Sequence, residues 1–359
     1  MNWRPRRQDW IRGSALIALA TVAGLLWHQR YRESLPPHDI KSLMAAEDIS
    51  GAVLALQHAD TSTRVLTYGR SVRASSPLDA AARLPIASLS KPLTASAVRQ
   101  LVRRGRLGLQ DAAITWLPEL RQGADPRLAH ITVSHLLQHT SGLGGPGDPL
   151  FDGARVAGCA RAIEVVVRHP LDSDPGKRMR YSNVGYCLRG RLSERVTGQG
   201  YAAAVTDLLE LPDPSALTLG PPTSPHQGHG LAADDWQSIG AAGGWFSDAR
   251  TLAAIFSADA RDRSIAAPPV DGHLGLSNYG LGWRVWPSSD AYKLTHFGTM
   301  RGMLSLGVAY PGGCSAVILM NGRPRDSAAY VARLTPFVSR ELRHIPDTTV
   351  GWRERQLSH

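Results

Sequence analysis

Strand-like runs stand near both ends of this chain and helical patterns fill the region between them, an order that limits the fold more than any other feature. Gly51 to Gln57 and Arg64 to Tyr68 read as strands joined by a turn-prone segment. Three further strand-like runs, separated by glycine-containing turns, follow late in the chain: Lys293 to Thr299, Met303 to Tyr310 and Ser315 to Asn321. The early pair and the late three predict an α+β fold with an antiparallel five-stranded sheet and a helical insert region, rather than βαβ repeats.

The helical patterns lie mainly between the two groups of strands. Leu93 to Arg104, Val184 to Val196 and Tyr201 to Glu210 are predicted helices, and Ser327 to Leu342 is predicted to close the fold. A chain of 359 residues with 43% hydrophobic content can bury a large core. We therefore predict one domain over residues 35–345, followed by a tail at 346–359.

Ser88 and Lys91 stand three residues apart where the first of these helices is expected to begin, so they share one face of it. A serine hydroxyl is a poor nucleophile until a base takes its proton, and a desolvated lysine can be lowered enough in pKa to take part. Only four of the 40 lysine and arginine residues are lysine, and arginine cannot release its proton. The pair therefore suggests acyl transfer, although S-x-x-K alone also suits an ordinary helix start.

Two further short motifs follow, and with the first they form the set Ser88-x-x-Lys91, Tyr181-x-Asn183 and His296-x-Gly298. This set resembles the three motifs of the penicillin-recognising serine hydrolases, which include class C β-lactamases, D-alanyl-D-alanine carboxypeptidases, D-aminopeptidases and family VIII esterases. The segments 131–143, 243–252 and 279–283 also resemble recurrent segments of these proteins, and the resemblance spans about residues 45 to 340.

The resemblance implies a β-lactamase/transpeptidase-like fold with the active site in a cleft between the sheet and the helical region. Ser88 is expected to attack a carbonyl, while Lys91 and Tyr181 share the proton transfers, and which of the two is the base stays open. Asn183 offers an amide that can bridge Lys91 and a substrate carbonyl. By the resemblance, the backbone N–H groups of Ser88 and Thr299 form the oxyanion hole.

Substrate is expected to lie along the strand from His296 to Thr299, beside Gly298. Most β-lactamases of this superfamily have lysine or arginine at the first position of the third motif, whereas this chain has a histidine that is neutral much of the time near pH 7. His296 therefore resembles the peptidase and esterase members, and we predict a small peptide, amide or ester substrate. A class C β-lactamase acting on a lactam and a catalytically silent penicillin-binding-like envelope protein remain alternatives.

No metal, cofactor or nucleic acid is predicted as a ligand. The G-x-G-x-x-G string from Gly142 to Gly147 follows a helical pattern rather than a strand and contains Pro146. His135 and His139 have helix spacing but no obvious third ligand, so packing or turn capping is the favoured interpretation. The net charge of +10 is scattered without interleaved aromatic runs, which argues against a nucleic-acid interface.

Residues 1–34 predict a membrane anchor. Arginines cluster from Arg4 to Arg12 ahead of an uncharged stretch from Gly13 to Trp27. A helix from Trp10 to Trp27 would be about 27 Å long, close to the thickness of a bilayer core. Because no small-residue cleavage site follows, an uncleaved anchor is favoured over a cleaved signal peptide. The catalytic domain is then expected on the periplasmic or otherwise extracytoplasmic side of the inner membrane, with the oligomeric state left open.

The cysteines allow this compartment without requiring it. There are three, Cys159, Cys187 and Cys314, so at most one disulfide can form within the chain. A bond between Cys159 and Cys187 is one alternative. None of the three has the spacing of a metal site.

Overall fold

In the computed structural model of the protein, residues 40–343 are described except for the segments 60–61, 72–75, 145–146, 153–154, 223–230, 267–276 and 288–291. The expected anchor at 1–34 and the tail at 346–359 lie outside the described residues. Among the residues that are described, no helix combines the length and apolar character needed to cross a membrane.

The chain alternates between sheet and helical regions in the predicted order. The helices of the described residues are α1 (Ile40–Ala46), α2 (Ser90–Arg103), α3 (Val133–Leu137), α4 (Gly158–Val167), α5 (Asn183–Thr197), α6 (Tyr201–Leu209), α7 (Ala233–Gly243), α8 (Ala249–Arg261) and α9 (Ser327–Arg343). The strands are β1 (Gly51–Gln57), β2 (Thr63–Gly69), β3 (Leu84–Pro85), β4 (Phe151–Asp152), β5 (Arg155–Val156), β6 (Leu217–Leu219), β7 (Trp245–Ser247), β8 (Asn278–Tyr279), β9 (Arg284–Pro287), β10 (Tyr292–Met300), β11 (Met303–Tyr310) and β12 (Cys314–Met320). The predicted helices and strands named above are confirmed.

The main sheet is antiparallel, as predicted, but it has seven strands rather than five. Its order is β2-β1-β12-β11-β10-β9-β8, so the first two strands join the last ones through the β1–β12 pair. The additional strands are the hairpin β8–β9, with two and four residues. Strands this short show no clear alternation of apolar and polar residues, which is why the sequence pattern did not reveal them.

Helices cover both faces of the sheet, which explains why β1 is buried at every position instead of at alternate ones. On one face, α1 and α9 contribute Ile40, Leu43, Leu334 and Val338 to a core against the sheet. On the other face, α8 packs on β1, β11 and β12. The larger core continues from there into the helical region.

The 3-10 turn Ala87–Leu89, just before α2, contacts β10, and the helical region continues from there through α2 to α7. The disulfide Cys159–Cys187 joins α4 to α5, with Cα atoms 5.2 Å apart. The pairing that the sequence left as an alternative is thus present. The bond connects the helix before the loop that carries Tyr181 to the helix after it.

Candidate active site

Ser88 lies in a tight turn between β3 and α2. The short 3-10 turn Ala87–Leu89 contains a strained residue, because Ala87 has a φ of 45°. A non-glycine residue in the left-handed region costs on the order of 1–3 kcal/mol and persists only where packing fixes it. Ala87 and Leu89 are buried, whereas Ser88 between them is only half-buried. The turn therefore leaves the Ser88 hydroxyl accessible at the start of a buried helix.

Lys91 is fully buried one helical turn after Ser88. Its Nζ donates to Ser88 Oγ at 3.2 Å and to the carbonyl oxygen of Ala242, in the last turn of α7, at 2.6 Å. Burial lowers the pKa of Lys91 to about 7, with Asp148 opposing the shift and Arg189 adding to it. A substantial fraction of Lys91 is thus an unprotonated amine near neutral pH, able to take a proton from the hydroxyl it contacts.

Tyr181 stands over the same lysine, with Lys91 Nζ 5.0 Å from the centre of its ring. The residues on both sides of Tyr181 are bound to His139. Arg180 N donates to the His139 carbonyl oxygen at 2.8 Å, and Ser182 N donates to His139 Nδ1 at 3.0 Å. These two bonds fix the backbone that carries Tyr181.

The environment of Tyr181 favours the neutral phenol. Desolvation among its neighbours raises the pKa of Tyr181 and Tyr279 adds to the shift, while the Ser88 hydroxyl and Arg189 oppose it. Tyr181 is nevertheless 43% exposed, so substrate can contact it. Of the two groups next to Ser88, Lys91 is the one whose pKa suits a base near pH 7.

Asn183 is the first residue of α5, directly after the helix cap Ser182. Its amide nitrogen donates to Asp148 Oδ2. The expected bridge from Asn183 to Lys91 is not among the hydrogen bonds of the described residues, so that role stays a prediction. Asp148 is exposed and acts electrostatically on both Lys91 and Tyr181.

Gly298 brings β10 into direct contact with the turn that carries Ser88. A Cβ atom at this position would lie 2.4 Å from the carbonyl oxygen of Ile86, 2.6 Å from Ser305 Oγ and 2.7 Å from Ser88 N. Ser305, on β11, also donates to the Ile86 carbonyl at 2.7 Å. Only glycine allows this approach of two backbones, which places β10 beside Ser88.

His296 faces the buried side of the site. Its Nδ1 lies 3.1 Å from the carbonyl oxygen of Phe297, and its Nε2 lies 2.8 Å from the hydroxyl of Tyr279. Since a carbonyl only accepts, Nδ1 carries the proton and Nε2 accepts from Tyr279. Burial, and then the charge of Lys91, lower the pKa of His296 to about 3, so the ring is neutral throughout the physiological range.

Thr299 is next to Gly298 on β10, and its side chain lies 3.2 Å from Ser327 Oγ. Strand β9 pairs with β10 only as far as Thr295, whereas β11 pairs with it as far as Met300. Within the described residues, the edge of β10 from His296 to Met300 therefore has no neighbouring strand on the β9 side. An extended substrate segment can add to that edge.

An aromatic cluster joins the second motif to the third. His139 lies 4.5 Å from Tyr181 and 4.5 Å from Tyr279 between ring centres, and Tyr279 bonds to His296. The turn after Tyr279 is held by Arg99, which donates to the Leu281 carbonyl at 2.7 Å. The sequence indicated the segments that contain these residues, but not that His139 and Tyr279 belong to the site.

The other histidine of that segment has a local role. His135 Nδ1 accepts from Thr132 N at 3.2 Å, and the two form a capping box at the start of α3. Packing by His139 and capping by His135 agree with the interpretation of the sequence. Within the part of the chain that the structure describes, no group of three or more His, Cys, Asp or Glu residues is placed to hold a metal ion.

The fold and the site together define a serine hydrolase of the β-lactamase/transpeptidase-like type. A family model described as Beta-lactamase matches residues 38–342. The chain therefore belongs to the β-lactamase family, as its motifs indicated.

Known proteins similar to this chain include an esterase and a penicillin-binding protein. Esterase EstB of Burkholderia gladioli is 38% identical over 144 residues, which are 35% of this chain and 36% of the esterase. Penicillin-binding protein 4* of Bacillus subtilis (strain 168) is 29% identical over 178 residues, 48% of this chain and 38% of that protein. The matches thus cover little more than a third of these curated relatives.

Among solved structures, the D-amino acid amidase from Ochrobactrum anthropi SV3 has a TM-score of 0.66 and 22% sequence identity, and the match covers 86% of this chain and 100% of the amidase. At 22% sequence identity, the similarity between the two structures shows a shared fold.

Proposed function

We propose that the protein hydrolyses a small amide, peptide or ester substrate through an acyl-enzyme on Ser88. The observation that carries the proposal is the contact between the half-buried Ser88 and the buried Lys91, whose Nζ lies 3.2 Å from Ser88 Oγ and whose pKa is lowered to about 7. A lysine that is partly unprotonated beside a half-buried hydroxyl is a base in contact with its nucleophile.

The proton transfers follow from the positions of Lys91 and Tyr181. Lys91 Nζ takes the Ser88 proton as Oγ forms a bond to the substrate carbonyl carbon. When the tetrahedral intermediate collapses, the bond to the leaving group breaks and the Tyr181 hydroxyl protonates that group, regaining a proton from Lys91. Water then attacks the acyl-enzyme and the same groups act in reverse to release the acid. The neutral phenol of Tyr181 suits this donor role.

The oxyanion is stabilised by the backbone N–H groups of Ser88 and Thr299 in this proposal. The close approach at Gly298 supports it, because Ser88 N lies against β10 one residue before Thr299. A donor of this kind typically contributes about 3 kcal/mol of transition-state stabilisation.

The substrate is proposed to be an amide or ester without a required carboxylate beside the third motif. His296 is neutral and already bonded to Tyr279, so it offers no permanent cation there. The similar proteins described above, an esterase, a D-amino acid amidase and a penicillin-binding protein, agree with this range. β-Lactam hydrolysis is the second candidate, because the family and the nucleophile are common to both activities.

The domain is proposed to work outside the cytoplasm, held at the membrane by residues 1–34. The disulfide Cys159–Cys187 supports this location, since such bonds persist mainly in oxidising compartments. The basic and apolar order of the first thirty residues supports the anchor.

The test of the chemistry is covalent labelling followed by a substrate panel. A fluorophosphonate probe should add to Ser88, as located by peptide mapping, and Ser88→Ala should abolish the adduct. An adduct on another serine, or one that survives Ser88→Ala, would overturn the proposal. D-amino-acid amides and peptides, short-chain p-nitrophenyl esters and nitrocefin then separate amidase, esterase and β-lactamase activity.

A further inference from the structure

Three buried side chains behind the active site have polar atoms without partners. Arg189 and Tyr186 have no exposed surface and His139 is 2% exposed. Among the described residues, all three guanidinium nitrogens of Arg189, the hydroxyl of Tyr186 and Nε2 of His139 lack a hydrogen-bond partner. Buried polar atoms normally have hydrogen-bond partners, so this cluster of atoms without partners needs a physical explanation.

These side chains form one contiguous patch. Arg189 Cζ lies 2.9 Å from the centre of the Tyr186 ring, and the His139 ring lies 5.1 Å from the same ring. Lys91 Nζ is 5.5 Å from that ring as well. The Tyr186 ring is therefore shared by two cationic side chains, one of which is the proposed base.

The charge of Arg189 has no counter-charge in the described part of the chain. An arginine stays protonated in a protein, and a buried ion without a partner is strongly unfavourable. The groups that act electrostatically on Arg189 are the hydroxyl-bearing side chains Tyr279, Tyr181 and Tyr201, with no carboxylate among them. Asp148, the carboxylate that acts on Lys91, is exposed and bonded to Asn183.

The orphaned atoms can all donate a hydrogen bond. The pKa of His139 is held well below its usual value by burial and by Arg189, so the ring is neutral. Because His139 Nδ1 accepts from Ser182 N, the ring proton is on Nε2, which is a donor. Tyr186 has an O–H, and Arg189 has only N–H donors. A patch with a positive charge and donors alone is complementary to a small anion.

We propose that Arg189, with the Tyr186 hydroxyl and His139 Nε2–H beside it, binds a small monovalent inorganic anion of the size of chloride. The bound anion neutralises Arg189 and offsets the repulsion that this arginine exerts on the Lys91 ammonium. This anion binds to the folded protein whether or not substrate is present or turned over.

The test is thermal unfolding of the full chain in sodium chloride against sodium gluconate at equal sodium concentration. An anion that binds only the folded state raises its stability by mass action, so chloride should raise Tm in a saturable way, by about 3 °C. Arg189→Met should remove the difference between the two salts. Arg191→Met is the matched control on the same helix, because Arg191 is exposed and paired with Glu194, and it should keep the difference.

A second measurement covers the case in which Arg189→Met fails to fold. Crystals of the wild-type protein grown in sodium bromide should show an anomalous peak beside the Arg189 guanidinium. Equal Tm values in the two salts together with no such peak would overturn the proposal, and so would a map in which the Asp148 carboxylate occupies the site. Ser88→Ala should keep the chloride response, so a protein that fails the labelling test can still pass this one.

Discussion

At the scale of single residues, the site depends on neutral forms of groups that usually carry or readily acquire charge. Lys91 is surrounded by protein, and its pKa falls to about 7. His296 and His139 are buried near it, and the pKa of each is lowered by burial first and by neighbouring positive charges second. One lysine is thus left as the group that changes its protonation near neutral pH.

Lys91→Arg should be nearly as damaging as Lys91→Ala. Arginine keeps the positive charge but cannot give up a proton, so it cannot serve as the base. Both variants should lower the single-turnover acylation rate by about 10²- to 10⁴-fold. An arginine variant that acylates within a few-fold of wild type would mean that Lys91 is needed only as a fixed cation.

The acylation rate should rise with pH through about 7 and then level off. The sign follows from the active form: below its pKa Lys91 is an ammonium that cannot accept the Ser88 proton, and above it the free amine predominates. His296 has a pKa of about 3 and stays neutral across this range. The midpoint in a pH–rate profile should therefore persist in His296→Gln, and a midpoint that disappears in this variant would assign the titration to His296.

His139 is expected to position Tyr181 rather than to touch substrate. It has a φ of 58°, and asparagine both tolerates that conformation and can place an acceptor near Nδ1. His139→Ala should lower kcat by about 10²-fold, the scale of a displaced catalytic group, while His139→Asn should recover much of the loss. His135→Ala, which removes a capping contact in the same segment, serves as the control. Equal kcat for the alanine and asparagine variants would refute a positioning role.

At the scale of elements, the site is assembled where α2, α5 and β10 meet. Ser88 comes from the turn before α2, Lys91 from the first turn of α2 and Tyr181 from the loop before α5, and the edge of β10 runs beside them. No single element contains the site. The distances between these elements depend on small residues that allow close contact, of which Gly298 is the clearest case.

Gly298→Ala should damage both stability and catalysis. The added methyl group would lie within 2.7 Å of three atoms of the nucleophile turn and its support, so β10 or the turn must move. Overpacking of this kind costs about 1–3 kcal/mol. Denaturant unfolding and acylation kinetics would measure the two effects. Gly200→Ala is the matched control, since a methyl group there meets nothing within 4 Å, and equal effects of the two changes would contradict the argument.

At the scale of the whole molecule, the sheet with α1, α8 and α9 supports a helical region on one side. The disulfide Cys159–Cys187 reinforces that region close to the loop that carries Tyr181. The anchor proposed at residues 1–34 would tether this hydrolase domain to the membrane.

The full-length protein should remain in the membrane pellet after alkaline carbonate extraction, because an apolar helix is not released by high pH. Protease added to spheroplasts should digest the domain if it faces away from the cytoplasm. Removal of residues 1–34 should release the protein from the pellet and serves as the control. Recovery of a soluble, N-terminally trimmed form from the periplasm would indicate a cleaved signal peptide instead.

The sequence alone determined the α+β order of elements and predicted the pair of Ser88 and Lys91 and the three motifs as the site, since these depend on short spacings and local periodicity. It also predicted one antiparallel sheet from two early and three late strand-like runs, an arrangement that the family resemblance implies as well. It did not reveal β8 and β9, whose strands are too short for a periodic signal.

Only the tertiary structure decided the charge states and the supporting residues of the site. The lowered pKa of Lys91, the neutrality of His296 and the bonds from His139 to both sides of Tyr181 depend on burial and on residues more than forty positions apart in the chain. Desolvation is a property of how segments pack together, and no short motif carries it. The motifs therefore predicted which groups react, and the packing of α2, α5 and β10 decided how they are protonated.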